Sequence, residues 1–366
     1  DFTFRGRGGV IKIRLYGPEG EPAGETETAI EAGAQAELEV AAPKLWSAEE
    51  PVLYTMVCRL PGEVIAQKIG FRRITAENGI LRINGHPIRI KGVNRHDTDP
   101  VTGYTVSREH IRRDLILMKQ NNINAVRTAH YQNSPLVTEL CNELGLYVMS
   151  EADHELHGLA YSGGDLAPIA KKLKEDEKGG GGFRYYCPRI NDNPQYEKAA
   201  VDRMTKNPIR EKNQCSVIFW SLGNESGWGR NQEIAGRWIK EYDPTRLLHY
   251  ESLFPGQDRK PDYSCLDVMS RMYPSTMWIE EKYGDRPDYD GSEELISNSD
   301  AYTENYYKEF MKDHPFLLCE YIHAMGNSVG DAEDYFELME RYERFAGGFV
   351  WEWADHAKYV GDDRLG

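Results

Sequence analysis

The sequence has no long hydrophobic run. No apolar stretch in its 366 residues approaches the roughly 20 needed to cross a bilayer, so no membrane partner is expected. A secretory leader is also absent: no basic start leads into an apolar core and a small-residue cleavage site. That absence excludes little, because the chain opens on Asp1 rather than Met. Basic charge is in deficit, with 44 Lys and Arg against 59 Asp and Glu and a formal net charge of −15. A surface of that sign repels phosphate backbones, which excludes nonspecific nucleic-acid binding and points to a small or neutral partner. The six cysteines, Cys58, Cys141, Cys187, Cys215, Cys265 and Cys319, contain no C-x-x-C pair, which excludes a zinc knuckle and a dithiol redox motif. Free thiols in a reducing compartment, the cytoplasm, are the expectation.

What is present is an ordinary globular composition, 40% hydrophobic and 28% charged, in a chain long enough for two domains. Seven Trp and 22 Tyr provide many flat faces, suited to core packing or to stacking on sugar rings. Residues 1–74 alternate with a period of two in short runs at 10–16, 36–40, 53–58 and 63–74, separated by Gly17-Pro18-Glu19-Gly20 and Pro61-Gly62. This pattern predicts a small antiparallel, immunoglobulin-like β-sandwich. After a hairpin at Asn84-Gly85 the rhythm becomes strand, loop, helix. Strands are expected near 88–95, 125–130, 146–152, 217–223, 247–251, 267–273, 316–321 and 347–353. A helix is expected over 107–121, with Ser107 as its cap and Ile111, Leu115 and Met118 on one face. Eight such units over 75–366 predict a multidomain chain whose second part is a (β/α)8 TIM barrel with its site at the C-terminal strand ends.

The helix that would follow strand eight is missing from the pattern, so the chain reads as part of a longer protein. Two connections, 154–193 and 274–306, are long enough to belong to the active face. Glycines 179–182 follow no strand and precede no Lys-Ser/Thr, so they read as a mobile segment rather than a phosphate cradle.

The residues after each expected strand are polar. They include Asn94-Arg95-His96-Asp97, Arg127-Thr128-Ala129-His130-Tyr131, Glu151 to His157, Asn224-Glu225-Ser226, Arg271-Met272-Tyr273, Glu320-Tyr321-Ile322-His323 and Trp351 to Asp355. Apolar strands deliver Glu225 and Glu320 directly, and a buried carboxylate is costly unless it is paired or used. Two opposed carboxyls suit retaining glycoside hydrolysis; salt-bridged glutamates at a barrel mouth are the alternative. His154-Glu155-Leu156-His157 fails the zinc-protease pattern, because its histidines are three apart rather than four. Glu155, His157 and Glu225 form an oxygen-rich set that favours magnesium over zinc.

At these residues the chain resembles glycoside hydrolase family 2 and, within it, the β-galactosidases. The resemblance rests on Gly92 to His96, Met118 to Tyr131, Ser221 to Gly227, Cys319 to Ser328 and Gly347 to Trp353, in family order over about residues 45–360. It implies Glu225 as acid/base, Glu320 as nucleophile through a covalent galactosyl-enzyme, and Mg2+ at Glu155, His157 and Glu225. It further implies substrate binding by Asn224, His96, His130, Tyr273, His323 and Trp351, with Tyr273 assisting the nucleophile and Trp351 as the galactose platform. The expected partners are a small β-galactoside such as lactose and, in the full-length protein, further copies of the chain. Family members carry a jelly-roll domain before the sandwich and β-domains after the barrel, and the Na+ or K+ site lies partly there, so it is assigned to no residue here. The loop 159–193 has no family counterpart. Ile322 and the Trp351 to His356 ending resemble the evolved β-galactosidase branch. A β-glucuronidase would carry Pro after its acid and basic partners for the substrate carboxylate, whereas Ser226-Gly227 follows Glu225. A carbohydrate-binding barrel without turnover would have lost one of the two carboxylates.

Overall fold

The computed structural model describes residues 8–31, 35–160, 182–254, 260–283, 313–325, 330–359 and 361. The N-terminal strands β1 (Val10–Tyr16), β2 (Pro22–Ala29), β3 (Tyr54–Leu60) and β4 (Glu63–Ile69) form an antiparallel sheet in the order β2-β1-β3-β4. Alternation puts Ile11 and Leu15 on the face shared with Tyr54, Met56 and Cys58. The expected strand at 36–40 makes no ladder. It runs across this face instead, packing Leu38 and Val40 onto the same core. Strand β2 had no apolar signal, since its sequence PAGETETA is an exposed edge held by backbone pairing with β1.

The connection to the barrel is rigid at three points. Trp46 is fully buried and donates from Nε1 to Asn142 O at 2.9 Å. Arg72 donates to Cys215 O and Val217 O at 2.9 and 3.0 Å. Lys119 Nζ donates to both Ala48 O and Gly145 O at 2.9 Å. A small sheet of β5 (Ile74–Glu77), β6 (Ile80–Ile83) and β7 (His86–Pro87) follows, turning at Asn84-Gly85 as expected. Its Leu81 and Ile83 share a core with Ile90, Met149, Phe219 and Leu317, closing one end of the barrel with apolar side chains.

The barrel strands are β8 (Ile90–Arg95), β9 (Ala125–Thr128), β10 (Tyr147–Glu151), β11 (Val217–Ser221), β12 (Leu247–His249), β13 (Met269–Met272), β14 (Phe316–Tyr321) and β15 (Phe345–Val350). All paired neighbours are parallel, in the order β12-β11-β10-β9-β8-β15-β14-β13. The ring is nearly closed, and its seam lies between β12 and β13, the short fifth and sixth strands. Asp267 bridges the seam: its N–H donates to Leu248 O at 3.0 Å and its carboxylate accepts from Leu248 N at 2.7 Å.

The described helices are α1 (Arg108–Gln120), α2 (Pro135–Leu144), α3 (Gly182–Asp192), α4 (Pro194–Glu211), α5 (Arg230–Tyr242), α6 (Thr276–Tyr283) and α7 (Ala332–Arg341). In α1 the Ser107 side chain accepts from His110 N, and Ile111, Leu115 and Met118 are buried. Among the described residues no helix is long and apolar enough to cross a membrane. Most of the two long connections lies outside the described residues, as does the expected mobile segment at 179–181; Gly182 opens α3.

Candidate active site

Arg127, at the end of β9, organises the barrel mouth. It is fully buried, and its Nε and Nη2 grip Glu151 at 2.7 and 3.0 Å in a bidentate pair. Its Nη1 donates to Glu320 Oε1 at 2.9 Å and Asn94 Oδ1 at 3.0 Å, and Nη2 donates to Asn224 Oδ1 at 2.9 Å. Burial disfavours the guanidinium charge, but Glu151, Cys319 and Glu320 outweigh it and raise the pKa. Burial likewise pushes Glu151 up, and Arg127 with His130 more than offsets this, holding it at about 2.

Glu320 comes from β14 and is 6% exposed. Both its oxygens are held, Oε1 by Arg127 and Oε2 by the Tyr273 hydroxyl, which donates at 2.8 Å. Tyr273 N also donates to Glu320 O at 3.0 Å, so the ends of β13 and β14 are tied. Burial, then the Glu320 charge, raises the Tyr273 pKa and keeps the phenol a donor.

Glu225 follows β11, and its side chain keeps 27% of its surface exposed. Glu225 and Tyr273 hold left-handed backbones, with φ of 35° and 47°, a region that bulky residues occupy only when their surroundings force them. Glu225 touches His157 Nδ1 directly, which raises the His157 pKa against the opposing effect of burial. Glu155 Oε1 accepts from Asn224 Nδ2 at 3.0 Å. The ligand atoms of Glu155, His157 and Glu225 lie within 4.8 Å of one another, and two carboxylates with one imidazole form a donor set that fits Mg2+ with waters completing its shell.

The opposite wall is aromatic. The Trp351 and His130 rings stack at 5.0 Å with an interplanar angle of 8°. His96 meets Trp351 edge-on at 5.6 Å, and His323, which is exposed, lies 6.2 Å from both Trp351 and Tyr273. His130 Nδ1 is 2.8 Å from Glu151 Oε1. An ionised carboxylate only accepts, so Nδ1 carries the proton and Nε2 faces the pocket side, 3.7 Å from Glu320 Oε1.

Residues 74–366 match the family described as "Glycosyl hydrolases family 2, TIM barrel domain", and residues 5–72 match "Glycosyl hydrolases family 2". The chain belongs to glycosyl hydrolase family 2. Similar proteins include a beta-galactosidase of Actinobacillus pleuropneumoniae, 41% identical over 98% of this chain and 33% of that protein. A beta-galactosidase of Staphylococcus xylosus is 41% identical over 96% of this chain and 31% of that protein. The family 2 chain thus spans about a third of the length of these relatives. Among solved structures, a family 2 member from Bacteroides cellulosilyticus matches 94% of this chain and 41% of its own, at 21% identity and a TM-score of 0.63. A β-glucuronidase from Ruminococcus gnavus matches 97% of this chain and 58% of its own, at 20% identity and a TM-score of 0.66. At these identities the two structures share the fold.

Sequence reasoning placed every named site residue of this family 2 chain at the mouth, but it missed the groups beneath. Ser221 Oγ donates to Glu151 at 2.8 Å and therefore accepts from His249 Nδ1 at 3.0 Å, extending the Arg127 network downward. Glu251 is buried, and burial pushes its carboxyl up to about 7, with Glu225 and Glu320 adding to the rise. Its signal was available: Glu251 closes an apolar strand in the same way as Glu151, Glu225 and Glu320.

Proposed function

We propose that this chain carries the catalytic machinery for retaining hydrolysis of terminal β-galactosides such as lactose. The observation that carries this reading is the contrast between two strand-delivered carboxylates. Glu320 is enclosed and oriented through both oxygens, as a nucleophile must be before it meets an anomeric carbon. Glu225 is open to solvent on one side, where a leaving group departs and water enters.

In this mechanism Glu225 gives its proton to the glycosidic oxygen while Glu320 attacks the anomeric carbon. The bond to the aglycone breaks and a glycosyl ester forms on Glu320. Glu225, now a carboxylate, takes a proton from water, which attacks the same carbon and releases Glu320. Arg127 and Tyr273 steady the carboxylate each time its charge returns. The Trp351 face suits the apolar C–H face of the sugar, and Asn224, His96, His130 and His323 offer donors and acceptors for hydroxyls. Mg2+ at Glu155, His157 and Glu225 would supply positive charge beside the acid. Galactoside is favoured over glucuronide because Arg127, at the pocket floor, is engaged with Glu151, Glu320, Asn94 and Asn224. The buried, unpaired cysteines support a cytoplasmic setting.

The test is hydrolysis of nitrophenyl β-galactoside, β-glucoside, β-glucuronide and β-mannoside, with and without Mg2+, beside Glu320→Gln. Galactoside-selective turnover that disappears in the variant is the expected result. Faster turnover of the glucuronide would overturn the substrate assignment.

A further inference from the structure

The aromatic wall contains a second set of metal donors, of which the proposed reaction uses only His96. His96, Glu352 and His356 each offer one ligand atom, and the three atoms lie within 4.8 Å of one another. His356 Nε2 and Glu352 Oε2 are 3.0 Å apart, and the His96 and His356 rings meet edge-on at 4.5 Å and 80°. The donors come from two loops that are fastened together: Trp353 N donates to Asn94 O at 2.9 Å, and Tyr359 N donates to Pro100 O at 2.6 Å. Each imidazole ring brings a nitrogen to the same small space as the carboxylate, as a metal site needs.

We infer that His96, Glu352 and His356 form a zinc site, separate from the Glu155, His157 and Glu225 set. The chemistry differs between the two sets. Two imidazoles and one carboxylate are a borderline-soft combination that suits Zn2+, whereas two carboxylates and one imidazole suit a hard ion that keeps its waters. Zn–N and Zn–O bonds of about 2.0–2.1 Å put tetrahedral ligands about 3.3 Å apart, so the site closes by a small movement. The exposed His356 side chain, 41% accessible, can supply that movement. A fourth position is left for water.

On the galactoside reading, an ion on His96 withdraws a group that serves the sugar, so zinc becomes a competitive inhibitor. That consequence rests on the proposed function; the binding itself does not. Equilibrium dialysis with ZnCl2 in excess Mg2+ and without sugar, on the whole chain, His356→Ala and Glu352→Gln, separates the two. The wild type is expected to hold one more zinc than either variant, and Co2+ substitution should give visible d–d absorption that both variants lose. Circular dichroism is the check that the variants are folded. Equal zinc stoichiometry in all three folded proteins would overturn the site. In kinetics, zinc at about nine times its dissociation constant should raise KM about tenfold with kcat unchanged, and His356→Ala should lose this effect. Zinc that binds without raising KM would overturn the competition.

Discussion

Arg127 decides the behaviour of its surroundings, because Glu151, Glu320, Asn94 and Asn224 all point at one guanidinium. Removing it leaves two buried carboxylates without a counter-charge, a loss of about 3–5 kcal/mol for a broken buried pair. Arg127→Met should therefore lower the stability by that amount in urea titration as well as abolishing turnover. Arg127→Lys should recover little, since a single ammonium cannot satisfy a planar set of four acceptors. Stability within about 1 kcal/mol of the wild type in either variant would contradict this account. The mouth residues were legible in the sequence because each follows an apolar strand. Arg127 was visible there only as one member of a cluster, and its central place depends on residues at the ends of four other strands that spacing cannot align. Ser221 and His249 were hidden for a different reason: inside an apolar run, a polar residue facing the barrel axis looks like an interruption. Glu225 supports a sharper expectation. Glu225→Gln should slow galactosides with poor leaving groups far more than activated aryl galactosides, because only the former need a proton on the departing oxygen. Equal losses across a series of aryl leaving groups would remove it from the acid role.

Elements were legible where hydrophobic period and capping agreed. The α1 helix satisfies both, and its boundaries fall within a residue of those expected. The β2 edge carries alternating Glu and Thr with no buried row, so no periodic apolar signal exists to be read. The stretch at 36–40 has the alternation of a strand but no partner to pair with; Leu38 and Val40 cover a face instead of extending a ladder. Alternation therefore reports a buried side, while ladder pairing depends on tertiary partners. Strand β15 shows the converse, an element whose sequence looks poor and whose packing requires it. Gly347 has φ of 113°, and a Cβ there would meet Ile90 O at 2.1 Å on the neighbouring β8. Gly347→Ala combines overpacking, about 1–3 kcal/mol, with a disfavoured φ, about 1–2 kcal/mol. A loss of about 2–5 kcal/mol in thermal or urea unfolding should follow, along with displacement of Trp351 four residues on. By contrast Gly85→Ala, whose Cβ meets nothing within 4 Å, should cost only the φ term.

Across the whole molecule, the polar barrel mouth makes stability depend on pH with a definite sign. Burial lowers three histidines: His96 and His249 to about 3, and His154 to about 4. Each takes up a proton in the unfolded chain near its ordinary pKa of about 6.5 but not in the folded one, so stability falls as pH drops through that window. Glu251 works in the opposite direction. Its folded value of about 7 lies above the ordinary carboxyl range, so its contribution is present at low pH and is lost as pH rises towards 7. Near pH 5 the unfolded chain binds about three more protons at the histidines and about one fewer at Glu251, and burial raises Glu211 and Glu352 in the same direction as Glu251, so the net difference is at most about two. Stability should therefore rise with pH around pH 5, by up to about 3 kcal/mol per pH unit, and level off near neutrality. Urea titrations at half-unit steps from pH 4.5 to 7.5 test this. His249→Gln should reduce the slope by about one proton, because His249 is fully buried. Glu251→Gln should steepen it, by removing the term that opposes the histidines. A flat profile in the wild type would mean that these histidines are protonated in the folded state, which would contradict their burial as neutral groups.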